Sequence, residues 1–153
     1  MMRRTSWALD RFARLPVQRK LLYSGACIRL VGAWILVRMV PFKYWRGQLM
    51  PNPKARQLEA LVARDLQFLA EAEHVFRQIK WATRDRATCL MMVLVARWML
   101  NKRRIPGTIF LGVRRDPAKP GLHAHAWMQS AIGVVGHEEV GSFAIVERFP
   151  NVQ

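Results

Sequence analysis

Residues 86–106, RATCLMMVLVARWMLNKRRIP, read as one helix that is apolar on almost every side. Leu90, Val93, Leu94, Trp98 and Met99, with Met91, Met92 and Val95, make it apolar nearly all round. Such a helix is expected to be buried. Its Met and Trp content reads as core packing. Asp85 or Thr88 is placed to cap its start. Lys102, Arg103 and Arg104 complement the C-terminal dipole, and Pro106-Gly107 is expected to end the helix. A chain of 153 residues, 52% hydrophobic, suffices for one compact body around it.

Cys89 falls in the first turn of this helix. Unpaired N–H groups and the positive dipole end at a helix start favour thiolate over thiol, which a nucleophile needs. Cys27, the other cysteine, sits in mid-helix in an apolar segment and lacks those features. Histidines follow in HAHAW at 123–127, so a Cys–His pair is within the chain's means. Two cysteines make no disulfide framework, and a reducing, cytoplasmic setting is expected. The opening MMRRTSWALDRFARLP lacks the apolar core of a secretory leader, and none is expected there. No CxxC, HExxH or related spacing is present, so no metal or cofactor is expected.

Before the central helix, residues 17–40 form an apolar helical stretch stopped by Pro41. Arg29 and Arg38 interrupt it, which argues against a membrane span at about 3 kcal/mol for a central Arg. A helix lying on a membrane or docking on another protein stays open, beside one packing on the domain with its arginines outward. Residues 41–53, PFKYWRGQLMPNP, read as a turn-rich connection between an N-terminal basic and apolar helical region (1–50) and a catalytic domain (51–153). Leu58, Val62, Leu66, Leu69, Phe76 and Ile79 then recur at helical spacing among charged residues, an amphipathic helix carrying His74 at its surface or boundary.

After the central helix the character changes. Residues 108–113 (TIFLGV), 125–129, 132–135 and 143–146 read as short strands separated by Gly- and Pro-containing turns. Helices first and strands after is an α+β pattern with a small antiparallel sheet.

Net charge is +15, unevenly spread. Residues 1–56 carry twelve Lys and Arg against one Asp, residues 57–88 balance, residues 89–120 hold seven bases against one Asp, and residues 121–153 are net −2. An acidic partner is implied: a peptide, an anionic membrane or nucleic acid. A basic non-enzymatic module is therefore one reading, but no nucleic-acid-binding signature accompanies the arginines, which are interleaved with core-type residues.

RATCLMMVLVARWMLNKRRIPGTIFLGVRRD and AHAWMQ resemble the leader peptidases of lasso-peptide biosynthesis, a branch of the transglutaminase-like superfamily of cysteine enzymes. RFARLPVQRKLL and VRMVPF resemble that family's leading region. The resemblance implies a transglutaminase- and papain-like core, a central helix on a small antiparallel sheet behind N-terminal helices. It makes Cys89 the nucleophile and His125 the general base. His123 would share a strand face with His125 but lies just before the motif. The family often has an Asp on the next strand, about where 136–138 falls; here His137, Glu138 and Glu139 stand instead. Glu138 is the candidate to orient His125, a solvated loop carboxylate being its other reading. The Cys89 N–H would supply one oxyanion donor. The implied job is cutting the leader from a ribosomally made precursor before a separate macrolactam cyclase acts, with a separate small leader-binding protein as partner. A Cys–His acyltransferase is the third reading.

Overall fold

The computed structural model describes residues 15–50, 52–83, 86–115, 121–131, 133–135 and 142–149. In chain order the elements are α1 (Val17–Met39), α2 (Phe42–Trp45), α3 (Ala63–Thr83), α4 (Cys89–Lys102), β1 (Gly107–Arg115), β2 (Leu122–Ser130), β3 (Gly133–Val135) and β4 (Ala144–Phe149). The strands form one antiparallel sheet in the order β3-β2-β1-β4. The expected α+β architecture, helices followed by a small antiparallel sheet, is the fold.

α4 lies at the centre, as its composition demands. Every residue from Met91 to Arg97 is buried. On one side α4 meets α1, where Ala26 and Ala33 are fully buried and a Cβ on Gly32 would stand 3.7 Å from the Trp98 ring. Small residues let the two backbones approach. On the other side it meets the sheet through Ile109, Ala126 and Met128. Each of the large apolar side chains enclosed here contributes about 1.5–3 kcal/mol.

α4 stops earlier than Pro106-Gly107, and by another device. Ile105 N–H donates to the Leu100 carbonyl at 3.0 Å and Arg104 N–H to that of Asn101 at 3.1 Å. Arg104 takes the left-handed conformation, φ 56°, and Ile105 is buried. This is a Schellman cap with arginine at the position glycine usually holds. Gly107 belongs to β1, abutting Leu100. Further carbonyls at this end are met from residues 52–56: Arg56 N–H donates to Arg104 O at 2.9 Å.

Residues 41–53 are more than a connection. α2 and a 3-10 turn over Arg46–Leu49 bury Trp45 and Leu49, and the Trp45 indole donates to Val40 O at 3.0 Å. The guanidinium of Arg97, fully buried on α4, donates to Leu49 O at 3.0 Å and to Gly107 O at 2.9 Å. It braces this turn against the first residue of the sheet, and burial pushes its pKa down to about 10.

α3 buries Asp65, Leu69, Ala72, Val75, Phe76 and Ile79, while Val62 and Leu66 are exposed, so the buried stripe is rotated from the expected one. The cause is Asp65, whose carboxylate accepts from Val62 N–H at 3.2 Å and from Arg56 at 2.7 Å. That closes the helix start from inside the fold. His74 is half-buried, at the boundary expected of it.

α1 packs on the domain through one face, as one of the open readings has it, with Arg19 and Arg38 exposed. The rest of its outward face is largely apolar, and Arg29 folds back to donate to its own helix at Gly25 O, 2.9 Å away. By length and composition α1 is long and apolar enough to cross a membrane, and little of it is buried.

Candidate active site

Thr88 is the N-cap of α4. It has extended backbone angles, and its hydroxyl accepts from Met91 N–H at 3.4 Å. Asp85, the other expected cap, lies outside the described residues. Cys89 is thus the first helical residue, half-buried, with its N–H among those that have no intrahelical acceptor. Cys27 is on the exposed side of α1, and burial by neighbouring groups pushes its thiol up, away from thiolate.

His125 is buried in the middle of β2. Strand alternation divides β2 sharply. Ala126 and Met128 join the core shared with α4, whereas His125 and Trp127 project from the other face. There they meet an aromatic bed. The Phe143 ring lies 5.1 Å from the imidazole, the Trp127 ring 6.2 Å from it and nearly parallel, and Trp127 stacks on Phe110 at 5.5 Å. Arg114 lies 4.9 Å over Phe143 and donates to Ser142 Oγ at 3.1 Å. These groups fix the ring plane of His125 and narrow its access to water. His123 is exposed, with its ring 6.2 Å from Phe143.

The two candidate residues stand at one end of the helix–sheet pair. From the Leu100–Gly107 contact, α4 rises about 16 Å to Cys89, and β1 runs about 16 Å to Gly112. Gly112 is the residue paired with His125. Cys89 is therefore level with His125, but the imidazole leaves β2 on the face turned from α4. α4 leans toward the β2 and β3 side of the sheet. Cys89 packs against the core that Ala126 and Met128 share with α4, whereas the His125 ring lies with Trp127 and Phe143 on the opposite face of the sheet. β3, antiparallel to β2 with Val135 opposite Met128, leads the chain toward the His125 end. His137, Glu138 and Glu139 lie outside the described residues. Among the described residues no group of three or more His, Cys, Asp or Glu could hold a metal ion.

Sequence reading missed Gly112, Phe143 and Arg114 as the surroundings of His125. A Cβ at Gly112 would lie 2.8 Å from the Trp127 ring. The period-two spacing of His125 and Trp127 was the available signal.

Cys89 opens the buried helix of this α+β fold, and His125 lies on the sheet beside it. Residues 27–148 match the model of the transglutaminase-like superfamily, and the chain belongs to that superfamily. The match spans both Cys89 and His125. No curated protein and no solved structure matches the chain.

Proposed function

We propose that the chain is a cysteine peptidase that removes the leader from a ribosomally synthesised lasso-peptide precursor. The observation that carries this reading is the position of Cys89 as first residue of the buried helix, within a superfamily match that also contains His125 in Ala124-His125-Ala126-Trp127. The thiolate of Cys89 attacks the scissile carbonyl while His125 carries the proton to the leaving amine. Water then hydrolyses the thioester, with His125 as base. The Cys89 N–H donates to the developing oxyanion, and Glu138 orients the imidazole. The resemblance of residues 86–116 and 124–129 to leader peptidases supplies the substrate. It also implies the separate leader-binding protein and the macrolactam cyclase that follows.

The test is mass spectrometry of a lasso-peptide precursor carrying its leader, incubated with this chain, with and without a leader-binding protein. One cut at the leader–core junction is expected, lost in Cys89→Ala and His125→Ala. An amine adduct in place of the free acid would mark an acyltransferase. Intact precursor with folded enzyme and partner present rejects the peptidase.

A further inference from the structure

The packing of α1 leaves a face that none of the described residues covers. Leu21, Ile28, Val31 and Ile35 recur along it at helical spacing, with Ile28 73% and Val31 60% exposed, and Trp34 and Met39 extend it. Past the helix, Phe42 and Tyr44 continue it, Tyr44 being 71% exposed. α1 contains no acidic residue. Lys20 stands near one end of the face, and Arg38, Lys43 and Arg46 are exposed at the other. Arg19 is already engaged by Glu71 at 2.6 Å, and Arg29 by Gly25 O, so neither breaks the apolar stripe between these ends.

We propose that α1 lies in the plane of an anionic bilayer surface, its outer face among the acyl chains and its terminal cations at the lipid phosphates. Three observations select this occupant. From Leu21 to Met39 the stripe runs about 27 Å along one helix, an extended face that suits a planar partner. Cations with Trp34 and Tyr44 beside them are the composition of the membrane interface, where each base near an anionic surface contributes about 1 kcal/mol. A second copy is disfavoured, because packing two such faces in either sense brings cationic ends together. A span is disfavoured because Ala26 and Ala33 hold the other face against the domain.

The experiment is flotation of the full chain with vesicles of phosphatidylcholine alone and of phosphatidylcholine with phosphatidylglycerol. Flotation with the anionic vesicles, at least ten-fold weaker with the neutral ones and reversed by carbonate at high pH, is expected. Ile28→Glu with Ile35→Glu should lower it ten-fold or more with an unchanged circular dichroism spectrum. Should that pair fail to fold, Arg38→Gln with Lys43→Gln should remove most of the preference for anionic lipid. Equal binding to both vesicles overturns the proposal, as does absence of flotation, the result expected if a protein covers this face. Resistance to carbonate also overturns it, in favour of a span. Cys89→Ala should float like the unaltered chain, so the result is independent of the peptidase reading.

Discussion

Gly112 lies directly across the β1–β2 ladder from His125, and the space left by its missing side chain is taken by Trp127, the next ring on the face of His125. A Cβ there would meet the ring at 2.8 Å and the Ala144 carbonyl oxygen at 3.1 Å. Neither neighbour is the free end of a side chain, so something larger has to shift. Gly112→Ala should cost about 1–3 kcal/mol, read as a lower thermal midpoint. It should also slow precursor cleavage at least ten-fold by displacing the rings that hold His125. Gly47→Ala, with no atom within 4 Å of the added carbon, is the control and should leave both unchanged.

The two cysteines should separate by reactivity. Burial raises the pKa of Cys27, which leaves it little thiolate at neutral pH, whereas Cys89 is the first residue of the buried helix α4. Limited iodoacetamide at pH 7, mapped by peptide mass, should modify Cys89 first and abolish cleavage in step. Cys27→Ala should cleave normally. Faster labelling of Cys27 would count against Cys89 as an activated nucleophile.

Asp65 predicts an acid limb of stability. Burial acts to raise its pKa, but the Val62 N–H and the Arg56 guanidinium outweigh that and hold it below the ordinary 3.8. A depressed carboxylate stabilises the fold above its unfolded pKa, and the contribution is lost as pH falls through the folded value. Thermal midpoints should therefore drop between about pH 4 and pH 2. Asp65→Asn should be less stable at pH 7 and show a shallower drop; an unchanged acid limb would remove Asp65 as its source.

Arg104 holds a left-handed backbone conformation that costs an L side chain energy. Arg104→Gly keeps the cap hydrogen bonds, which are backbone to backbone, and should stabilise the chain by about 1 kcal/mol. A denaturant midpoint measures it, and a fall in place of the rise would show that the arginine side chain matters more than the strain.

Much of this arrangement is legible in the residues, and the remainder has identifiable reasons. The all-round apolar character of residues 90–100 announces a central helix, and the β-branched and aromatic runs after Gly107 announce strands. That His125 and Trp127 share a face follows from period two. Which face meets α4 does not, because His125, Ala126, Trp127 and Met128 are all buried and the alternation carries no inside–outside contrast. The pairing of Gly112 with His125 depends on the length and course of the intervening loop. Arg97 gave no signal because its partners are main-chain carbonyls, which every residue carries. The stop at Lys102 was hidden for a similar reason: its cap uses a residue type that seldom takes that conformation.

The brace through Arg97 sets an order on biosynthesis. Leu49 leaves the ribosome early, α4 much later, and Gly107 last of the three, so the guanidinium can be satisfied only when β1 has begun to form. Until α4 arrives, Ala26 and Ala33 have nothing to pack on, and α1 is apolar on both its faces. Contacts this far apart in sequence form slowly and leave the nascent chain prone to association. The chain before residue 89 therefore travels without the helix its core is built on, and association through α1 at that stage competes with folding.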